Sequence, residues 1–521
     1  MTPYDLDVLG QEPRPYFTAR ILGDQVEIEG TTDCVIGEKL PGSAPERPDG
    51  LFVEWHWDGR RLVVRNDFYG FSPLFYSCYG NAIRISPSLE QALSPDMPRD
   101  LDYAALSVIL RMGHPVGDDT PFRYMRALPP GSTLIWEQGR LEIDSPKLPI
   151  RTGPYARIAF DDAADQFAHL FDQAIRKRLP KDEKIVFPLS GGRDSRHLLF
   201  ALEANGVKPQ SCVTLEYRPP ATNEDARIAG LIAAEMKIDH HVLEKAPSWF
   251  QAVLKEAHLS NFCGGSHAWI LPLAAYLKGR TSTLYDGLAG SVLSGGFMTD
   301  ERKLKLYREQ RLEELALILF NETGNEGFNN TVLRASFRQK ISMKIAVERI
   351  VKELQRHVEA TNPMLSFIFW NRTRRGVSQI PLAIMAHIPA VHCPYLDRDV
   401  YDFLTSVEPS YFLGNRLHDE AIRRAYPNYA HLPYEDSSKK ADYQKKDYVY
   451  FSESINELWG YLLNHSLRSF GILRKSYIYP RVIYDLLKRN NHMPWYLIKT
   501  VFCLELGKIW HDGWEGQQRS S

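Results

Sequence analysis

The chain has 521 residues, 44% hydrophobic and 24% charged, with a formal net charge of -1. The length allows roughly three domains, and two large ones fit equally well. This is the composition of a soluble globular protein, and its balanced charge excludes the broad basic field that nucleic acid or an anionic membrane would require.

The start, Met1-Thr2-Pro3-Tyr4-Asp5-Leu6-Asp7, carries neither a basic n-region nor an apolar h-region. No apolar run approaches the roughly 18 residues of a membrane span. The six cysteines, Cys34, Cys78, Cys212, Cys263, Cys393 and Cys503, are scattered without a CxxC pair. That spacing suits neither a zinc knuckle nor a disulfide framework and points to a reducing compartment. A cytoplasmic protein is expected.

Residues 1–150 read as β-rich. Phe52-Val53-Glu54-Trp55-His56-Trp57 alternates, turns at Asp58-Gly59 and resumes at Arg61-Leu62-Val63-Val64-Arg65, a hairpin signal. Leu74-Phe75-Tyr76-Ser77 turns at Gly80-Asn81 and returns through Ile83-Arg84-Ile85. A helix is expected over 101–112, and the polar stretch from Leu148 to Pro154 reads as a linker.

From residue 155 onward, helices and strands alternate. An amphipathic helix is expected over 163–178. The apolar run 184–189 comes next, then Ser190-Gly191-Gly192-Arg193-Asp194-Ser195, then a helix beginning Arg196-His197-Leu198. A strand, a Gly-rich turn and a helix N-terminus suit an anion: backbone N–H groups are exposed, glycines allow close approach, and the helix dipole is positive there. Asp194 is out of place in a bare phosphate cradle and makes sense as a ligand of Mg²⁺ bridging phosphates. The bland alternative is a βα turn in which Asp194 and Ser195 cap the helix. Five fixed residues in the pattern SGGxDS arise by chance in about one chain of this length in a thousand, at roughly 7% usage per residue. A second strand is expected at 211–215, a helix over 224–236 and a third strand at 240–243. Serial βα units argue for a parallel sheet with its ligand at the carboxyl ends of the strands. Beyond about residue 300 the chain reads mostly as helices.

These residues resemble the asparagine synthetase superfamily, which includes beta-lactam synthetase. SGGRDS resembles its pyrophosphatase loop. Thr222-Asn223-Glu224-Asp225-Ala226-Arg227, with His240-His241 downstream, is similar to the second strand–helix unit. The segment 286–297 sits where the family has an SGEGADELFGGY-like stretch, and Met385-Ala386-His387 with Pro394-Tyr395-Leu396-Asp397 is similar to MAH…PFLD. Upstream, 66–76 resembles the DRxGxRPLYY-like stretch of the glutamine amidotransferase domain, and Leu128-Pro129-Pro130-Gly131 its LPPG turn.

The resemblance implies a fold: an Ntn-hydrolase-like αββα sandwich over 1–150, then an α/β pyrophosphatase-loop synthetase domain over 155–521, with a parallel sheet and a helical C-terminal part. It implies an ATP-dependent amide ligase that activates a carboxylate as an acyl-adenylate, releases pyrophosphate and admits ammonia or a small amine. ATP and Mg²⁺ are the implied cofactors. Leu189, Ser190, Gly191, Gly192, Ser195, Val213, Asp286 and Gly287 are the implied nucleotide-binding residues. Asp194 and Asp286 would hold the metal, and Lys439 or Lys440 would approach the acyl-adenylate with Asp194. The partners are small molecules, without nucleic acid or membrane, and a homodimer is one possible assembly.

The chain departs from the family pattern in three places. Glutamine-using relatives begin their mature chain with a cysteine, whereas this chain begins Met1-Thr2-Pro3, so a chain without its own glutaminase activity is expected. The family's second metal-binding aspartate falls at Ser291 and a nearby glutamate at Leu288, and a serine hydroxyl is a poor Mg²⁺ ligand. The lysine spacing around Lys439-Lys440 is not clean. Arg372, Arg374 and Arg375 form a basic cluster that reads either as a carboxylate or phosphate clamp or as a helix face. His240, His241 and His387 read as structural. Two other function classes stand beside the ligase: an inactive relative with a structural or regulatory role, motivated by Ser291 and Leu288, and sulfur transfer to RNA, which the absence of CxxC and of a basic field argues against.

Overall fold

The computed structural model describes residues 5–40, 48–95, 97–148, 155, 157–180, 184–216, 223–263, 267–435, 447–464, 471–488 and 494–519. The expected mixed α/β fold is the one observed, with antiparallel sheets first, a parallel sheet next and a helical C-terminal part.

Ten strands build the first part: β1 (Phe17–Leu22), β2 (Gln25–Gly30), β3 (Asp33–Lys39), β4 (Gly50–Trp57), β5 (Arg61–Asn66), β6 (Phe75–Tyr79), β7 (Ala82–Ser86), β8 (Met125–Ala127), β9 (Thr133–Glu137) and β10 (Arg140–Asp144). They form two five-stranded sheets, β2-β1-β7-β6-β8 and β10-β9-β5-β4-β3. Both expected hairpins are present. Asp58 turns the first by accepting the Arg60 and Arg61 N–H groups at 2.9 and 2.8 Å, with Gly59 at φ 93°.

The sheets stack through one apolar layer. Trp55, Trp57, Val64 and Trp136 of one meet Phe17, Ile83 and Ile85 of the other, and the Phe17 and Trp57 rings lie 5.6 Å apart. Helix α1 (Tyr103–Met112) shares a core with Phe75, Met125 and Ala127 of the first sheet. Asp102 caps it by accepting the Ala105 N–H at 3.0 Å, and Gly113 ends it at φ 82°. The turn at 67–72 is wound around the buried Asp67 carboxylate, which accepts N–H groups from Tyr69, Phe71 and Ser72.

After α2 (Phe160–Arg176), strands β11 (Val186–Pro188), β12 (Ser211–Leu215) and β13 (Asp239–Leu243) pair in parallel, joined by α3 (Arg193–Ala204) and α4 (Glu224–Glu235). Strand β11 is shorter than its apolar run because Pro188 has no N–H to give to a ladder. A parallel pair, β14 (Thr283–Tyr285) and β15 (Ala390–His392), lies on the other side of β11. The Ser282 N–H reaches the Lys184 carbonyl across that seam at 3.3 Å. The spatial order is therefore β13-β12-β11-β14-β15.

Helices fill most of the rest, including a π-helix, Phe369–Val377, and the long Leu497–Arg519. Among the described residues no helix is long and apolar enough to cross a membrane. Residues 149–154 of the expected linker lie outside the described residues.

Candidate active site

Strand order decides where a ligand can sit. The chain runs outward from β11 to β12 and β13, then returns to β14 on the opposite flank. The turns leaving β11 and β14 therefore diverge at a crevice, the place where open α/β sheets bind ligands. Ser190–Ser195 leaves the first strand here, and Asp286–Ser291 leaves the second.

Gly192 is the N-cap of helix α3, and no side chain caps the helix. Asp194 is inside the first turn rather than at the cap, so its carboxylate is not spent on its own helix. The amides of that turn point toward the crevice end of the dipole. The turn itself is tightly held. The Ser190 N–H donates to Ser195 Oγ at 3.0 Å, and the two hydroxyls share a bond of 2.8 Å. The Gly192 N–H makes only a 3.3 Å bond to Ser190 Oγ. The Gly191 N–H is fixed from outside the turn by the Asp225 carboxylate of α4, at 2.7 Å.

Asp194 reaches across the crevice to the turn that follows Asp286, close enough to feel its charge. Asp194 Oδ2 accepts the Ser291 N–H at 3.0 Å, while Oδ1 has no hydrogen-bond partner. Burial pushes Asp194 up to about 7, with the Asp286 charge adding to the shift and the Ser291 N–H opposing it. Burial pushes Asp286 up to about 6 against the Leu288 N–H. The approach requires glycine: a Cβ on Gly290 would lie 2.5 Å from Asp194 Cγ, and one on Gly287 would lie 2.7 Å from Asp194 Cβ. Between them Ala289 is held at φ 72°, a left-handed conformation that L-residues rarely adopt. One quarter of the Asp194 side chain remains exposed, while Oδ1 itself is buried. Among the described residues no group of three His, Cys, Asp or Glu side chains could hold a metal. One or two carboxylates suffice for Mg²⁺ that also takes phosphate oxygens and water.

A buried polar layer backs Asp194. The Ser294 hydroxyl donates to the Gly290 carbonyl at 2.7 Å and so accepts from His418 Nδ1–H at 2.9 Å. His418 Nε2 is then an acceptor, and it takes the Tyr395 hydroxyl at 3.0 Å. His197 Nδ1 lies 3.2 Å from the same nitrogen, and Phe171 stacks on the His197 ring. Burial pushes His418 down to about 3, with the Arg193 charge adding, and holds His197 well below its usual range. A neutral imidazole with its Nδ1–H 3.8 Å from Asp194 Oδ1 leaves that oxygen's charge to a ligand. Contiguous sequence gives no signal for this layer, which joins four distant segments.

The segment 432–435 lies over the turn. Arg196 donates to the Leu432 and Pro433 carbonyls at 3.0 and 2.6 Å, and the Glu435 N–H reaches the Gly191 carbonyl at 3.4 Å. Arg193 grips Asp419 with two N–H groups, and both arginines stack on Tyr434. Lys439 and Lys440 lie outside the described residues.

The structure thus brings Ser190, Gly191, Gly192, Asp194, Ser195, Asp286 and Gly287 to one crevice. Leu189 and Val213 are buried beneath it, and the Leu189 N–H donates to the Val213 carbonyl at 2.9 Å. Ser291 contributes its N–H with an exposed side chain, and Leu288 is buried. His240 is tied to Thr214 Oγ1 at 2.8 Å. The arginine cluster divides. Arg374 and Arg375 are buried and donate to carbonyls of Gly70, Gly117, Asp119 and Leu128, so they clamp the two parts of the chain and face neither ligand nor solvent. Arg372 is only partly buried and lies over the Phe297 ring, 4.6 Å from its centroid.

The family described as Asparagine synthase matches residues 166–498, well over half of the chain. The chain is also similar, at 25% identity over 204 residues, to "Asparagine synthetase [glutamine-hydrolyzing] 3" of Bacillus subtilis (strain 168). That match takes in 36% of this chain and 30% of the relative's length.

Proposed function

The chain belongs to the asparagine synthase family, and from that membership we propose that it is an ATP-dependent carbon–nitrogen ligase. A small carboxylic acid attacks the α-phosphorus of ATP, pyrophosphate leaves, and ammonia or a small amine displaces AMP from the acyl-adenylate. The observation that supports this reading most strongly is the pairing of Asp194, with its unpartnered Oδ1, and Asp286 at the junction of β11 and β14. Asp194 and Asp286 would hold Mg²⁺. When bound, Mg²⁺ supplies charge neutralisation on the phosphates and eases loss of pyrophosphate. The N–H groups of the first turn of α3 and the Ser190 and Ser195 hydroxyls bind the departing pyrophosphate. Phosphate oxygens replace the bonds that these hydroxyls now make to each other.

We read residues 1–150 as an amidotransferase-like domain and 155–521 as the synthetase domain. We further propose that the first does not hydrolyse glutamine. Burial raises the Cys34 thiol to about 11 and also raises Cys78, so neither is an activated nucleophile. Ammonia or the amine then arrives from solution. Ser291 and Leu288 favour a second reading, an inactive relative with a structural role, because neither supplies a carboxylate. ATP–pyrophosphate exchange, screened over amino acids and other small carboxylates, separates the two. Carboxylate-dependent exchange supports the ligase, and its absence with every acid supports the second reading.

A further inference from the structure

A cavity of about 360 Å³ shares no lining residue with the Asp194 crevice. It lies between the end of α1, the π-helix Phe369–Val377 and the helix Leu497–Arg519. Leu110, Phe262, Ile498 and Phe502 give it apolar walls, while Arg372 and Lys499 reach into it. Among the described residues none that lines it is acidic. The volume falls at the lower end of the roughly 300–1,000 Å³ found for small-molecule sites.

The Arg372 guanidinium makes no ion pair or hydrogen bond among the described residues. It lies over the Phe297 ring, 4.6 Å from its centroid. Burial lowers its pKa from the usual range, yet arginine remains charged. Lys499 donates one N–H to the Leu110 carbonyl at 3.0 Å, and burial pushes it down to about 7. Glu326, whose charge is felt at Lys499, is already engaged by Arg111 at 2.8 Å. His114 and His267, both pushed down to about 4 by burial with the Arg372 charge adding, contribute neutral rings. A half-buried cation without a counter-ion is costly and is retained where a ligand brings the opposite charge.

We propose that this cavity binds a small organic anion, a carboxylate on an apolar body, with Arg372 as its counter-charge and Lys499 as a second donor. The apolar walls take the body of the ligand, and the guanidinium takes the carboxylate bidentately. The proposal stands on the cavity's own lining and requires no reaction at Asp194. The occupant is either the acid that is activated or a carboxylate that does not react.

Calorimetric titration with phenylacetate and hexanoate tests it, with phenylacetamide and hexanamide as neutral counterparts. Both acids are expected to bind at least tenfold more tightly than their amides. Arg372→Gln should cost at least tenfold in acid affinity, Arg372→Lys less, and Val377→Trp, which adds bulk at a lining position while keeping both cations, should abolish binding. Asp194→Asn should leave acid affinity unchanged. An acid that binds and also drives ATP–pyrophosphate exchange is the substrate, and one that binds without exchange is a non-reacting ligand; each supports the site. Equal affinity for acid and amide, no acid binding at millimolar concentration, or loss of binding in Asp194→Asn but not in Arg372→Gln would overturn it.

Discussion

The Asp225 carboxylate accepts the Gly191 N–H at 2.7 Å, so the helix of the second βα unit holds the turn of the first. Asp225 is 4% exposed, and its removal leaves a buried amide without a partner. Asp225→Ala should therefore cost about 1–3 kcal/mol of stability and weaken ATP binding, while Asp225→Asn keeps an acceptor and costs less. Burial raises Asp225 to about 6, against the Gly191 N–H. A carboxyl whose folded value lies above its unfolded value of about 3.9 binds its proton more tightly when folded, so its contribution to stability grows as pH falls from 7 through 6 toward 4, by up to about 2 kcal/mol. Thermal unfolding of wild type and Asp225→Asn at pH 4.5 and 7.5 should show that component in the first and not in the second.

Arg374 joins the two parts of the chain. It is 4% exposed and donates to the Gly70 and Leu128 carbonyls at 3.2 and 2.8 Å and to Asp118 at 2.9 Å. Truncation to Met strands those acceptors and should cost about 3 kcal/mol or more. Arg374→Lys should not restore it, because one ammonium cannot span the fork. Denaturant midpoints check this; a lysine variant as stable as wild type would contradict it.

His258 ties three segments. Its Nε2 lies 3.0 Å from Glu505, and its Nδ1 pairs with Glu90. Burial opposes its charge, but the hydrogen bonds to Glu505 and Glu90 prevail and raise it to about 9. A histidine raised in the folded state contributes fully below its unfolded value of about 6.5, and the contribution is lost as pH rises through 9. The ring is partly exposed, so solvent screening reduces the effect to about 1 kcal/mol. The melting temperature should fall between pH 7 and 9.5 in wild type and less in His258→Gln.

Much of the site is legible in the sequence because the turn 190–195 is contiguous, and its strand and helix flanks carry local periodicity. The hairpins at Asp58-Gly59 and Gly80-Asn81 are legible for the same reason. Long-range structure is not. Asp286 becomes a neighbour of Asp194 only because β14 returns beside β11, and no local pattern encodes that return. The Ser294–His418–Tyr395–His197 layer is equally silent as a cluster: Ser294 and Tyr395 lie in segments that resemble the family, but nothing local joins them to each other or to His418 and His197. Three arginines within the four residues 372–375 suggest a single surface cluster. The π-helix instead separates them, sending Arg374 and Arg375 into the seam and Arg372 into a cavity.

The central claim is that Asp194 serves a reaction splitting ATP into AMP and pyrophosphate. Phosphorus NMR of products formed with ATP, Mg²⁺ and an accepted carboxylate tests it most directly, in wild type and Asp194→Asn side by side. The account predicts AMP and pyrophosphate from wild type and at least a hundredfold slower release from the variant, about 2.7 kcal/mol of transition-state stabilisation. ADP and phosphate in place of AMP, or an undiminished rate in Asp194→Asn, would contradict it.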